Sequence, residues 1–130
     1  MRFDLVTPEK SLMSCEASYA DAPGAEGYFG VLPGHSPFIS TMNAGIVNVE
    51  KEGAEKQAFY VSSGFVDVTP EGVTVLAEEA YAASEMTASK LAEEIAALTS
   101  AIASAKTEAE KHTLEKRKAA FQAWQATSQA

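Results

Sequence analysis

The sequence predicts an α+β chain, an all-β part followed by a pair of helices, and three observations lead there. All eight glycines and all five prolines fall within residues 1–72, while residues 73–130 contain neither. Residues 1–86 carry a net charge of −9 and residues 87–130 a net charge of +1. Apolar residues alternate at period two in the first part and recur every three or four residues in the second, the spacings of a strand and of a helix. The boundary is placed at residue 86, giving a β domain over 1–86 and a helical hairpin over 87–130.

The strands are read in chain order. Phe3 and Leu5 alternate with Arg2, Asp4 and Val6 up to Thr7-Pro8. Met13, Cys15, Ala17 and Tyr19 alternate with Ser14, Glu16 and Ser18, which reads as one strand of seven residues. Pro23-Gly24, Pro33-Gly34, Gly45, Gly53, Gly64 and Gly72 punctuate the rest of the β domain. Between them, 46–49, 58–61, 65–68 and 73–76 are β-branched or aromatic runs of strand length. Lys51-Glu52-Gly53-Ala54 and Thr69-Pro70-Glu71-Gly72 read as hairpin turns. Regularly spaced strands with no helical pattern between them predict a sandwich or a barrel.

Thr87 is placed to cap the first helix, because its hydroxyl can accept from a free amide of the first turn. Leu91, Ile95, Leu98 and Ile102 then form one apolar seam. The pattern lapses at 104–107, where Thr107 can cap a second helix. Leu114, Phe121 and Trp124 continue the seam, with Arg117 at the intervening position. Two helices joined by so short a break make an antiparallel hairpin. Three large apolar groups on the second helix are few, and helices of this length need tertiary packing. The hairpin is therefore expected to dock weakly, or to be completed by a partner.

Composition excludes more than it names. The chain has 130 residues, 46% hydrophobic and 22% charged, which is a globular composition. No apolar run reaches the length of a bilayer span, and Met1-Arg2-Phe3-Asp4 leads into no secretory leader. The net charge of −8 opposes binding to nucleic acid or to anionic lipid. One cysteine, Cys15, excludes an internal disulfide, and histidines as far apart as His35 and His112 argue against a metal site. No Gly-x-Ser-x-Gly, phosphate loop or dinucleotide fingerprint is present, and His35 beside Ser36 is a poor dyad on an extended chain. No catalytic, cofactor-binding or metal-binding residue is assigned.

Four features remain. Cys15 shares strand parity with Met13 and Ala17, which favours a small core residue over a reactive thiol. His35, in the turn Leu32-Pro33-Gly34-His35-Ser36-Pro37, fits equally a backbone-bonding role and a partner-facing one. Lys111, Lys116, Arg117 and Lys118 form a basic patch, which is either a solvated face balanced by Glu108, Glu110 and Glu115 or a contact for an acidic partner. Phe121 and Trp124 are read as core.

The stretch Ala22-Pro23-Gly24-Ala25-Glu26-Gly27-Tyr28-Phe29-Gly30-Val31-Leu32-Pro33-Gly34-His35-Ser36-Pro37 resembles the signature of the epsilon subunit of the rotary F-type ATP synthase. Val6-Thr7-Pro8-Glu9, Asn43-Ala44-Gly45-Ile46-Val47, Tyr60-Val61-Ser62-Ser63-Gly64-Phe65 and Val73-Thr74-Val75-Leu76-Ala77 match in the same order. The resemblance is dense over residues 3–80 and agrees in layout alone over the helices. It implies a flattened antiparallel β-sandwich followed by a C-terminal antiparallel two-helix hairpin. It also implies a non-catalytic subunit of the central stalk, coupling rotation of the c-ring to ATP synthesis through gamma. Glu26, Gly27, Tyr28 and His35 are then the expected contacts with the c-ring and gamma. Lys111, Lys116, Arg117 and Lys118 are the candidate contacts with the beta subunit of the alpha/beta hexamer, through which the helices would inhibit ATP hydrolysis. The implied location is peripheral, at the cytoplasmic face of the bacterial inner membrane, without insertion into lipid. The other reading is a stand-alone β-domain adaptor or small-ligand binder.

Some relatives bind ATP at the hairpin through a pattern Ile/Leu-Asp-x-x-Arg-Ala. Here Met86-Thr87-Ala88-Ser89-Lys90-Leu91 stands in its place, with Thr87 for the acid, Lys90 for the arginine and Leu91 for the small residue. A threonine lacks the ionised acceptor and a lysine lacks the planar fork. Weak or absent ATP binding is expected.

Overall fold

The computed structural model describes residues 1–128. Ten strands precede two helices: β1 (Arg2–Val6), β2 (Ser11–Glu16), β3 (Tyr19–Gly24), β4 (Gly27–Val31), β5 (Phe38–Met42), β6 (Gly45–Glu50), β7 (Gln57–Val61), β8 (Gly64–Thr69), β9 (Gly72–Ala77), β10 (Ala80–Ala82), α1 (Ala88–Ala103) and α2 (Glu108–Ser128). The strands join in the order β10-β7-β6-β3-β5-β8-β9-β1-β2, with β4 paired to β3. β1 and β9 run parallel, and the other pairings are antiparallel.

The sheet folds over on itself, and the inward residues of its two halves make one core. Val47 and Val49 of β6 and Phe59 and Val61 of β7 come from one half. Phe3 and Leu5 of β1, Val66 and Val68 of β8, and Val73 and Val75 of β9 come from the other. The halves meet at a single pairing, Gly24 with Met42. Period two along each strand puts these side chains on one face, and their β-branched shapes suit it.

Three details differ from the sequence reading. The run from Met13 to Tyr19 is two strands, because the chain changes partners there. Ala17 N–H donates to the Met1 carbonyl on one side, and Ser18 N–H donates to Glu50 on the other, both at 2.7 Å. Cys15 sits half-buried against the core rather than wholly inside it. Pro23 and Gly24 end β3 instead of turning the chain. The turn comes at Ala25-Glu26, and Gly27 leaves it at φ +126°. The short strands β4, β5 and β10 carry no clean alternation, so the sequence pattern does not reveal them. Pro33-Gly34 turns as expected, with Gly34 at φ +83° and His35 N–H donating to the Leu32 carbonyl at 3.2 Å.

Both predicted caps form. Thr87 Oγ1 accepts from Lys90 N–H at 3.2 Å, and Thr107 Oγ1 accepts from Glu110 N–H at 3.1 Å. Leu91 and Leu98 of α1 pack with Ala120, Phe121 and Trp124 of α2 in a second core. That core rests on a cross-strand row of the sandwich, Ile46–Tyr60–Tyr81. Trp124 stacks on Tyr60 at 5.8 Å between ring centres and meets Phe121 edge-on at 4.6 Å. Its indole N–H donates to the buried Val61 carbonyl at 2.8 Å. The weak docking expected from the helices alone left out this aromatic floor. Tyr60 and Tyr81 supply apolar area that α2 lacks, so the sandwich itself completes the packing of the hairpin.

Candidate partner interfaces

Glu26, Gly27 and Tyr28 form the tip of the β3–β4 hairpin, and all three are exposed. Tyr28 is 59% exposed, yet its hydroxyl is fixed, accepting from Ile46 N–H at 3.1 Å. The ring lies across Gly45, where an added Cβ would stand 2.6 Å from the hydroxyl. Tyr28 is therefore an exposed ring whose hydroxyl is held in place. His35 is tied to the hairpin through rings, at 5.4 Å from Phe38, which in turn meets Phe29 edge-on at 5.1 Å. Its Nδ1 lies 2.8 Å from the Ser36 carbonyl, so one ring nitrogen bonds the local backbone while the residue as a whole stays exposed. The two expectations for His35 are thus compatible in one side chain.

A second surface is not apparent from the sequence motifs. Ile39 is 71% exposed, Phe65 53% and Leu76 45%, on the outer side of β5, β8 and β9. The register aligns Thr41, Phe65, Leu76 and Val6 across four strands, with Ile39 one step along β5. A groove of about 570 Å³ runs from this face to the hairpin tip, lined by Glu26, Tyr28, Ile39 and Thr41 among others. Large side chains left on the outer face of adjacent strands mark an interaction surface. The signal lies in 64–69 and 72–77, where Phe65 and Leu76 occupy the parity opposite to the core valines. Reading those runs as core strands alone conceals it.

The basic patch divides. Lys111 is exposed and Lys118 half-buried. Lys116 reaches Glu78 at 3.6 Å, and Arg117 grips Glu79 with Nε and Nη2 at 2.5 and 2.9 Å. Two of the four cations therefore pair with acids of the sandwich rather than with those of their own helix. Tyr81 O–H donates to Glu79 Oε2 at 2.6 Å, and the Arg117 guanidinium lies over the Phe121 ring at 5.7 Å. Burial pushes the Glu79 carboxyl up, but the hydrogen bonds from Arg117 and Tyr81 outweigh it and hold the group below the usual carboxylate range. Burial, with the adjacent Glu79, pushes the Tyr81 phenol up to about 12. A lowered acid stabilises the fold above its unfolded value, and a raised phenol stabilises it below its own. The cluster therefore holds through the neutral range and weakens only in acid or at strongly alkaline pH.

The segment aligned with the ATP pattern is occupied by structure. The Thr87 hydroxyl caps α1, and Leu91 is fully buried in the second core. Among the described residues, no group of three or more His, Cys, Asp or Glu is placed to hold a metal. No described helix is long and apolar enough to cross a membrane.

The sandwich thus presents exposed rings and an apolar patch on one side and carries the hairpin on the other, the features of a protein that contacts other proteins. Comparison with known proteins makes this specific. The family model of the ATP synthase delta/epsilon chain β-sandwich domain matches residues 1–83. The ATP synthase epsilon chain of Maricaulis maris is 38% identical over 128 residues, covering 98% of this chain and 96% of the relative. That of Parvibaculum lavamentivorans is 43% identical over 106 residues, covering 82% and 80%. In the Euglena gracilis mitochondrial ATP synthase, in a structure of OSCP, F1 and c-ring, a chain of 26% identity superposes with a TM-score of 0.74 over 96% of this chain and 79% of that one. A chain of the Tetrahymena thermophila central stalk and c-ring shares the fold at 15% identity, with a TM-score of 0.66 over 97% and 94%. The chain belongs to the delta/epsilon family of ATP synthase subunits, and it is a non-catalytic subunit of the central stalk.

Proposed function

We propose that the sandwich, residues 1–86, joins gamma to the c-ring, and that the hairpin, residues 87–130, regulates ATP hydrolysis. The observation that carries the first half is the exposed apolar patch of Ile39, Phe65 and Leu76 on adjacent strands. A face of this kind suits the packed surface of a protein such as gamma, while the polar tip Glu26-Gly27-Tyr28 and His35 suit the loops of the ring. Acidic and polar turns recognise polar loops without entering lipid, which supports a peripheral position at the cytoplasmic face of the bacterial inner membrane.

Full-length tagged protein drawn from its native membranes should bring alpha, beta, gamma and c subunits with it. Phe65→Asp should reduce recovery of gamma about tenfold or more, since burying one such side chain contributes about 1.5–3 kcal/mol. Its melting temperature should fall by only a few degrees, the effect of ~1 kcal/mol, because the ring is about half exposed in the free chain. Recovery of none of these subunits by folded wild-type protein would leave the stand-alone adaptor as the better reading.

For the hairpin, the proposed contacts with the beta subunit of the alpha/beta hexamer are Lys111, Lys116, Arg117 and Lys118. Deleting residues 87–130 should preserve assembly and raise the rate of ATP hydrolysis by the complex. An unchanged rate would show that this subunit does not act as a brake through its helices.

A further inference from the structure

We infer that Glu79 is a clasp that sets how often the hairpin leaves the sandwich, and that it does so by holding the Nε/Nη2 edge of Arg117 against competing carboxylates. The inference rests on the braking role proposed for the hairpin and goes beyond it by naming the group with which an outside acid must compete.

The geometry of the pair points to this. A guanidinium has two edges that can meet a carboxylate, and Glu79 takes the one formed by Nε and Nη2 of Arg117, so an outside acid gains that edge only by displacing Glu79. Glu79 is itself held in place: its N–H donates to Ser62 Oγ at 2.8 Å, and its carbonyl accepts from Ser62 N–H at 2.9 Å. The clasp is thus mounted on the rigid loops after β7 and β9 rather than on a mobile side chain. Tyr81 links it to the apolar contact. The phenol bonds Glu79, while the ring lies 6.1 Å from Phe121 and 5.8 Å from Trp124. Opening the ion pair therefore loosens the ring that the helix packs on, and lifting the helix removes the cation from Glu79. Lys116 and Glu78 form a parallel contact, but at 3.6 Å and largely in solvent it contributes little.

An acidic partner that captures Arg117 replaces one Arg–carboxylate pair with another. Such an exchange is close to balanced, so the state of the hairpin follows the availability of the partner. Removing the charge of Glu79 tips the balance outward without removing the cation.

The chain reports on this through its single tryptophan, Trp124, which is fully buried when the hairpin is docked. In full-length protein, Glu79→Gln should raise acrylamide quenching of Trp124 several-fold and speed amide exchange in α1 and α2 about tenfold. Exchange in β6, β8 and β9 should not change. Reversing the pair with Glu79→Arg and Arg117→Glu together should restore docking, which a purely steric role for Glu79 would not allow. In the assembled synthase, Glu79→Gln should slow ATP hydrolysis several-fold. Arg117→Ala should undock the hairpin yet leave hydrolysis several-fold faster than in Glu79→Gln, because the cation that would engage the partner is gone. Unchanged quenching in Glu79→Gln would overturn the clasp. Increased quenching with an unchanged hydrolysis rate would keep the clasp and refute the brake.

Discussion

Gly64→Ala should destabilise the sandwich by about 3 kcal/mol or more and lower its melting temperature by roughly 10 °C. Gly64 opens β8 opposite Ala77, and a Cβ placed there would stand 1.8 Å from the Leu76 carbonyl oxygen and 2.9 Å from its carbon. Both obstacles are backbone, fixed by the β8–β9 pairing, so no side chain can swing aside. Relief requires the two strands to part at this end. The same end carries Glu78 N–H to the Ser63 carbonyl at 3.2 Å and the Ser62–Glu79 bonds, so parting the strands would also disturb the mounting of the clasp. Gly53→Ala is the comparison. Gly53 has φ +75° but nothing within 4 Å of an added Cβ, so the change should cost only the left-handed strain of about 1–2 kcal/mol. Urea denaturation of both variants, monitored by the strand signal in circular dichroism, checks the contrast. Equal losses would mean that β8 and β9 can separate freely where Gly64 now sits.

How much of the fold is legible in the sequence depends on which physical rule each feature obeys. Strand β1 is readable because a half-buried strand alternates, and β6, β7, β8 and β9 because they hold β-branched or aromatic runs of strand length, with Gly53, Pro70 and Gly72 marking turns between them. The caps Thr87 and Thr107 are readable because capping is a local rule acting over three residues. Strands β4 and β10 obey no such rule. Gly27–Val31 carries two glycines, and its geometry is set by Tyr19 and Tyr28 packing onto Gly30 and Gly45. The break between β2 and β3 is likewise tertiary, because it arises where the chain changes hydrogen-bonding partners.

The interfaces divide the same way. The turn bearing Glu26, Gly27, Tyr28 and His35 stands out as a motif, and the basic residues of α2 stand out as a run. That Arg117 is already held by Glu79 cannot be read from either, since 38 positions separate them. The outer face of Ile39, Phe65 and Leu76 is legible in principle. It requires asking which parity of each strand faces out, not only which strands exist. The aromatic floor under the helices is missed in the sequence for a related reason: Tyr60 counts there within a strand run, and its outward direction, toward α2, becomes evident only with the fold.

Trp124→Ala should free the hairpin while leaving the sandwich folded. Truncating a buried aromatic costs about 3–5 kcal/mol, and here it also leaves the Val61 carbonyl without its indole donor. The loss falls on one side of a real division in the packing. Phe59 and Val61 point into the sandwich core, whereas Tyr60 between them points out to the helices, so the two cores share β6, β7 and β10 but no buried side chain. Stripping the second core therefore need not open the first. Amide exchange should rise throughout α1 and α2 and remain slow in β6 and β8, and the helical signal should melt below the strand signal. Trp124→Phe separates the two contributions, because it keeps a ring against Tyr60 and loses only the indole N–H and some area. It should keep the hairpin docked with a loss of about 1–2 kcal/mol. If Trp124→Ala instead lowers both signals together in one transition, the helices and sandwich form a single cooperative unit. The hairpin could then leave only at the expense of the fold, and its role in the synthase would have to be played in the docked position.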